Sequence, residues 1–117
     1  MFVCAKSWTN LKYGAAMSWV DEYEFGHDFQ DLRDAPDLVA PLTDELRQEV
    51  GPGHALFGKT WVIVARALPQ DEVVVVAEDE VALVHLTWAR HAENAPWPRC
   101  ERLQSAAAFE ALTEFRY

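Results

Sequence analysis

The sequence predicts an α+β domain in which an antiparallel meander sheet of three to four strands packs with two main helices in two layers. Two observations support this prediction. Short β-branched runs separated by turn residues fill the middle of the chain, and a helical apolar pattern lies on each side of them. The 117 residues, 50% hydrophobic and 25% charged, fit one globular domain spanning 1–117.

The predicted sheet consists of short strands joined by tight connections. The expected strands are 60–68, 72–77, 81–88 and a short fourth one at 99–103. Four consecutive valines at 73–76 indicate a strand that is buried on both faces. Turn-forming residues at 69–71 and a short charged stretch at 78–80 connect the strands, so each strand is expected to pair with the next.

The two main helices flank these strands. We expect the first over 41–50, because proline suits the first position of a helix. Its buried stripe is Leu42, Leu46 and Val50. Ser105 is a favourable N-cap, so the second helix is expected from there to about Phe115.

The acidity of the chain is concentrated near its N-terminus. Residues 17–50 contain ten acidic side chains against two arginines, and they therefore carry most of the formal net charge of −9. Acids recur every three residues in 28–37, which predicts a short solvated helix or turn. Residues 17–25 alternate imperfectly, which fits an edge strand or an irregular hydrophobic anchor. We expect 1–16 to be poorly ordered and 17–40 to form an acidic segment.

Composition and charge limit the classes of function. An acidic field repels nucleic acids and anionic membranes and attracts basic partners, so neither nucleic-acid nor membrane binding is predicted. No apolar run approaches the roughly 20 residues that cross a bilayer, and no signal peptide is recognisable. Cys4 and Cys100 form no C-x-x-C pair, so we expect reduced thiols and a cytoplasmic location.

A search of the sequence for motifs of nucleotide and metal sites gives little support to the hypothesis that the protein is an enzyme. Residues 53–60 match the phosphate-loop pattern G-x-x-x-x-G-K-[ST], but a phosphate loop follows a strand and begins a helix. Here the predicted helix precedes the match and a strand follows it. The carboxylates and the histidine in 22–31 lack calcium-loop spacing, so we predict no metal site, no cofactor and no catalytic residue.

The end of the third predicted strand is the most distinctive stretch of the chain. V-A-L-V-H-L-T-W at 81–88 is followed by a polar loop and by P-W-P at 96–98. His85 with His91 and Glu93 suggests a metal or acid–base cluster, although a hydrogen-bonded structural histidine is the simpler interpretation. The tryptophans of this corner either line a ledge for a partner or close the core. The candidate pocket comprises His85, Trp88, His91 and Trp97.

The stretch 53–59, the strand end H-L-T-W and the element P-W-P-R together resemble a family of small bacterial proteins. The resemblance covers residues 42–115 and leaves the acidic segment outside. It implies a bacterial single-domain protein. No activity is assigned to that family, so the resemblance assigns no catalytic residue.

The leading hypothesis is a non-enzymatic acidic module that binds a basic protein, in its sharpest form an immunity or antitoxin-like protein. Acidic side chains would steer association and aromatic ones would supply affinity. The residues expected at this interface are Trp19, Glu22, Tyr23, Glu24, Asp28, Asp31 and Asp34. The alternatives are a small-molecule-binding protein or small enzyme with its pocket near His85, and a homodimer formed through a valine-rich sheet face.

Overall fold

The computed structural model describes residues 18–68, 71–92 and 97–114. The expectation for residues 1–16 lies outside these ranges, as do the predictions that involve Cys4, Glu93 and Phe115. The described residues form an α+β fold with two α-helices, a short 3-10 helix and a five-stranded sheet. In this part of the chain, no helix has the length and apolar character needed to cross a membrane.

The sheet is an antiparallel meander in which each strand pairs with the next along the chain. The strands are Phe29–Asp31 (β1), Val62–Ala67 (β2), Glu72–Ala77 (β3), Glu80–His85 (β4) and Cys100–Arg102 (β5). All six residues of the central strand β3 are buried, which confirms the prediction made from its four valines.

The predicted count of three to four strands is wrong, because the edge strand β1 occupies residues where a short helix or turn was expected. Phe29 is drawn into the core, and the backbone on both sides of it pairs with β2. Leu32 N–H donates to the Val64 carbonyl oxygen at 2.9 Å. A short edge strand can leave polar side chains in water, so acids at three-residue spacing do not exclude it.

The first helix, α1, spans Pro36–Glu49 and begins five residues before its expected start at Pro41. Pro36 occupies the N-terminal position that favours proline, and Pro41 lies within the helix, where its missing N–H removes one backbone hydrogen bond. Before α1, Trp19–Glu22 form the 3-10 helix, so the edge strand considered for 17–25 is not adopted. Either proline can occupy the first position of a helix, and α1 begins at the earlier one, Pro36.

The second helix, α2, spans Ala106–Thr113 and begins where the sequence predicts. The Ser105 side-chain oxygen accepts a hydrogen bond from Ala108 N–H at 3.0 Å, which confirms the predicted cap. Phe109 is the buried residue of this helix. The helix therefore contributes one large aromatic side chain to the core.

The two helices cover opposite faces of the sheet, so the domain has three layers and not the predicted two. Side chains of β3 alternate between two apolar clusters. Val74 joins Phe109 of α2 in one cluster, and Val75 joins Leu46 of α1 in the other. The two-layer prediction is wrong because a strand that is buried on both faces requires cover on each side.

Replacement of Phe109 by alanine is expected to lower the free energy of unfolding by about 3–5 kcal/mol. The Phe109 side chain is buried, and its ring centroid lies 5.1–5.9 Å from those of Trp19, Tyr23, Phe25 and Phe29. Chemical denaturation measures the change. Phe57→Ala is the matched control, because Phe57 is 54% exposed. Equal losses in the two variants would contradict the packing described for α2.

Candidate functional site

The aromatic residues of the predicted partner interface take part in the protein's own packing. Trp19 Nε1–H donates to the Leu103 carbonyl oxygen at 2.8 Å, and the Tyr23 hydroxyl donates to Glu110 Oε2 at 2.8 Å. Both rings are half-buried against the cluster around Phe109. Burial, reinforced by the Glu110 carboxylate, raises the pKa of Tyr23 to about 12, so the hydroxyl remains a donor at neutral pH. These contacts hold the N-terminal segment against α2.

The acidic residues of the same predicted interface differ in their surroundings. Glu22, Glu24, Asp31 and Asp34 are exposed, and Asp28 is half-buried. Asp31 Oδ1 accepts a hydrogen bond from Arg33 Nε at 2.9 Å. The Arg33 guanidinium also donates to the Tyr23 carbonyl oxygen at 2.7 Å. Asp31 therefore orients Arg33, which holds the backbone that follows the 3-10 helix.

Three exposed large apolar side chains line, or lie close in the chain to residues that line, a small cavity where β2 ends and β3 begins. Leu38 is 47% exposed, Leu68 54% and Trp88 40%. Trp88 lines a small cavity with Leu42, which lies one turn after Leu38 in α1. Ala67, the residue before Leu68, lines the same cavity. Leu38 and Leu68 are therefore chain neighbours of residues that line this cavity, and Trp88 lines it directly.

Carboxylates accompany these apolar side chains. Leu68 N–H donates to the Asp28 carbonyl oxygen at 2.8 Å, and Asp71 lines the small cavity. Asp37 lies in the first turn of α1. Arg66 also lines the cavity and is the basic residue of its lining. We name the following residues the acidic–apolar patch: Asp28, Asp37, Leu38, Leu68, Asp71 and Trp88.

The four residues of the candidate pocket occupy different places. His85 ends β4, and its Nδ1 lies 3.6 Å from Oε2 of the buried Glu72, its partner across the strands. His91 and Trp97 are exposed. The lining of the small cavity includes Trp88 and none of the other three. A pocket formed by all four residues stays a prediction.

His54 connects the loop after α1 to the P-W-P element, a role that the sequence did not reveal. Its Nδ1 accepts a hydrogen bond from Leu56 N–H at 3.0 Å, so Nε2 carries the proton and donates to the Pro98 carbonyl oxygen at 2.6 Å. Residues 53–60 form turns that lead into β2, which confirms the context that argued against a phosphate loop.

Two glutamates of α1 hold the backbone that follows β4. Glu49 Oε1 and Oε2 accept hydrogen bonds from Thr87 N–H at 2.9 and 3.1 Å, and Oε2 also accepts from Trp88 N–H at 2.7 Å. Glu45 Oε2 accepts from Arg90 N–H at 3.0 Å. Both side chains are buried. We name the two glutamates and the three amides they hold the glutamate clamp.

The clamp fixes a stretch of unfavourable backbone. Trp88 and Arg90 have φ values of 59° and 63°, in the left-handed region that costs a non-glycine residue roughly 1–2 kcal/mol. Hydrogen bonds to a carboxylate are strong enough to offset such a cost. The sequence held a signal for the clamp, because Glu45 and Glu49 share the apolar helix face of Leu42. An acid within an apolar stripe needs a buried partner.

The two glutamates of the clamp titrate as a pair. Burial, the largest effect, raises the pKa of Glu49, and its hydrogen bond with Glu45 raises the pKa further. The amides of Thr87 and Trp88 act in the opposite direction. The same side-chain hydrogen bond lowers the pKa of Glu45, against the effect of its burial. A hydrogen bond between two carboxyl groups needs a proton, so the pair shares one, and the opposite pKa shifts assign it to Glu49.

Cys100 is the cysteine among the described residues, and it is a free thiol. Burial, followed by the charge of Glu101, raises its pKa, so the reactive thiolate is disfavoured at neutral pH. Within 18–68, 71–92 and 97–114, no group of three or more His, Cys, Asp or Glu side chains could hold a metal ion.

Comparisons of the chain with protein-family models, with curated proteins and with solved structures found no match. The resemblance to small bacterial proteins with an H-L-T-W strand end stays a prediction. The function is therefore argued from the glutamate clamp, the acidic–apolar patch and the charges around them.

Replacement of Glu49 by alanine is expected to lower the free energy of unfolding by about 3 kcal/mol, because a buried side chain is removed and two part-buried amides lose their acceptor. Hydrogen exchange at Thr87 and Trp88 should become faster in this variant. Gln48→Ala, on the exposed side of the same turn, is the matched control and should leave both quantities nearly unchanged. Unchanged exchange in Glu49→Ala would show that the clamp does not form.

The clamp also predicts a pH dependence of stability. Because the folded pKa of Glu49 is raised, its contribution is fully present below the ordinary value of 4.5 and is lost as the pH rises through the folded pKa. The contribution of Glu45, whose pKa is lowered, is present above 4.5 and is lost as the pH falls through its folded pKa. Glu49→Gln keeps an acceptor for the amides but does not titrate. The free energy of unfolding of the wild type, relative to Glu49→Gln, should therefore fall as the pH rises above 4.5. Chemical denaturation at several pH values measures this difference. A difference between the wild type and Glu49→Gln that stays constant over this pH range would rule out the shared proton.

Proposed function

We propose that this chain is a non-enzymatic acidic protein-binding module of a bacterial cytoplasm, in its sharpest form an immunity or antitoxin-like protein that binds a basic partner. The observation that supports the proposal best is the acidic–apolar patch, in which three exposed apolar side chains and three aspartates belong to the elements and loops around one small cavity. Clustered exposed apolar side chains are typical of interaction surfaces. Carboxylates next to them favour a partner rich in lysine and arginine.

Exposed acids outside the patch extend the same negative field. Glu22, Glu24 and Asp34 are exposed, and the whole chain has a formal net charge of −9. Such a field raises the association rate with a cationic protein and has little effect on dissociation. Steering is thus assigned to the acids of the N-terminal segment and of the patch.

The half-buried aromatic residues of the N-terminal segment have a different part in this proposal. Trp19 and Tyr23 pack against α2 and position the acidic segment. The apolar contacts with the partner are assigned instead to Leu38, Leu68 and Trp88, because these side chains are exposed. Binding affinity then depends on a small apolar area inside a large charged surface.

The first experiment is recovery of the tagged protein from its host at low and at high salt, with bound proteins identified by mass spectrometry. A stoichiometric basic partner that salt releases would support the proposal and name the target. Recovery of the protein without a partner under both conditions would contradict it.

Charge removal within the patch should slow association with that partner. The triple variant Asp28→Asn, Asp37→Asn and Asp71→Asn is expected to reduce the association rate at low salt about threefold to tenfold, because steering weakens while the apolar contacts remain. Surface plasmon resonance at two salt concentrations measures the rate. The control carries the same change in net charge at exposed positions outside the patch: Asp79→Asn, Glu101→Gln and Glu114→Gln. If both variants associated equally slowly, the association rate would depend on the net charge of the protein and not on the patch.

The alternative, a small-molecule-binding protein or small enzyme near His85, is favoured by one observation. His85 Nδ1 lies 3.6 Å from Oε2 of the buried Glu72, and a carboxylate beside a histidine is a common element of acid–base sites. The alternative would gain support if a His85→Gln variant lost binding of a small molecule while it kept its partner.

A further inference from the structure

A cavity of about 390 Å³ opens between the last turns of α1 and the loop that leads into β2. Leu46 and Val50 form its wall on the helix, and Leu56 and Trp61 line it from the loop. Phe57 also lines the cavity and is more than half exposed. This volume lies within the range of sites that hold small organic ligands, and the walls are mainly apolar, as such sites require.

The charge of this cavity is opposite to that of the protein. The ionisable side chains in its lining are Arg47 and Lys59, both basic, in a chain with 19 acidic and 10 basic residues. The Lys59 ammonium already pairs with Glu78 and Glu80, which lie outside the lining. Arg47 is exposed and has no hydrogen bond or ion pair with another described residue. Arg47 is therefore the cation that remains for a ligand.

The loop side of the cavity is held in place before any ligand arrives. Trp61 Nε1–H donates to the Leu56 carbonyl oxygen at 2.8 Å, and the Arg102 guanidinium lies 5.4 Å from the Trp61 ring centroid. Glu80 pairs with both Arg102 and Lys59. A site whose walls are already fixed loses little conformational entropy on binding, so even a small ligand can be bound measurably.

We propose that this cavity binds a small apolar molecule that carries a single carboxylate. The apolar part lies between the α1 wall and Trp61, and the carboxylate pairs with the Arg47 guanidinium, whose planar fork matches the two carboxylate oxygens. One unpaired cation suits one negative charge, and a cationic ligand is repelled. The lining of this cavity shares no residue with the acidic–apolar patch, and the proposal does not depend on the function proposed above.

Titration of the ¹⁵N-labelled full chain with octanoate, and separately with 1-octanol, tests the proposal by NMR. Octanoate should produce saturable shifts at the Trp61 indole N–H and at the amides of 57–60, and it should bind about fivefold more tightly than octanol. Arg47→Gln should weaken the binding of octanoate to the level of octanol and leave the binding of octanol unchanged. Arg66→Gln, at an exposed arginine of β2 outside this cavity, is the matched control and should bind both as the wild type does.

Two results would overturn the proposal. The first is equal affinity of the wild type for octanoate and octanol, or a ratio of these two affinities that does not change in Arg47→Gln. Either would show that the cavity is an apolar groove without a carboxylate site. Shifts that do not saturate, or that spread over residues far from the cavity, would show nonspecific binding. Because Arg47 is exposed, its replacement should preserve the fold, and the dispersion of the variant's spectrum verifies this.

Discussion

The glutamate clamp is the interaction on which the placement of the other elements depends. Apolar contacts hold α1 on the sheet through Leu42 and Leu46, but such contacts are not directional. The hydrogen bonds that Glu45 and Glu49 accept from the backbone amides after β4 are directional. They fix the helix relative to the strand end, and they satisfy buried carboxyl groups that would otherwise destabilise the fold.

The position of α1 in turn separates two surfaces of opposite charge. Asp37 lies in the first turn of the helix and Arg47 in the last, which is the distribution that the helix dipole favours. The acidic–apolar patch includes Asp37 and Leu38 of the first turns, whereas the apolar cavity with Arg47 in its lining lies beside the last turns. A basic protein and a small carboxylate would therefore approach the same helix at different turns and would not compete for one charge.

The parts of the fold that follow local patterns could be predicted from the sequence, and the parts that depend on long-range contacts could not. The valines of β3 and the Ser105 cap act within a few residues, so both predictions are confirmed. β1 is an edge strand of three residues that only pairing with β2 stabilises, and its own pattern also fits a turn. The hydrogen bonds of the clamp join residues that are separated by 38 to 45 positions in the sequence. The sequence alone therefore suggests that Glu49 is a charged surface residue, although it is a buried hydrogen-bond acceptor.

Trp88 connects the buried part of the molecule to its proposed function. Its backbone N–H is held by Glu49, while its side chain belongs to the acidic–apolar patch. A side chain whose backbone is already fixed loses less entropy when a partner covers it. This matters because Trp19 and Tyr23 pack against α2, so Trp88 is the exposed aromatic side chain of the acidic–apolar patch. Charge steers a partner to this surface, and the fixed indole makes the small apolar contribution to affinity more effective.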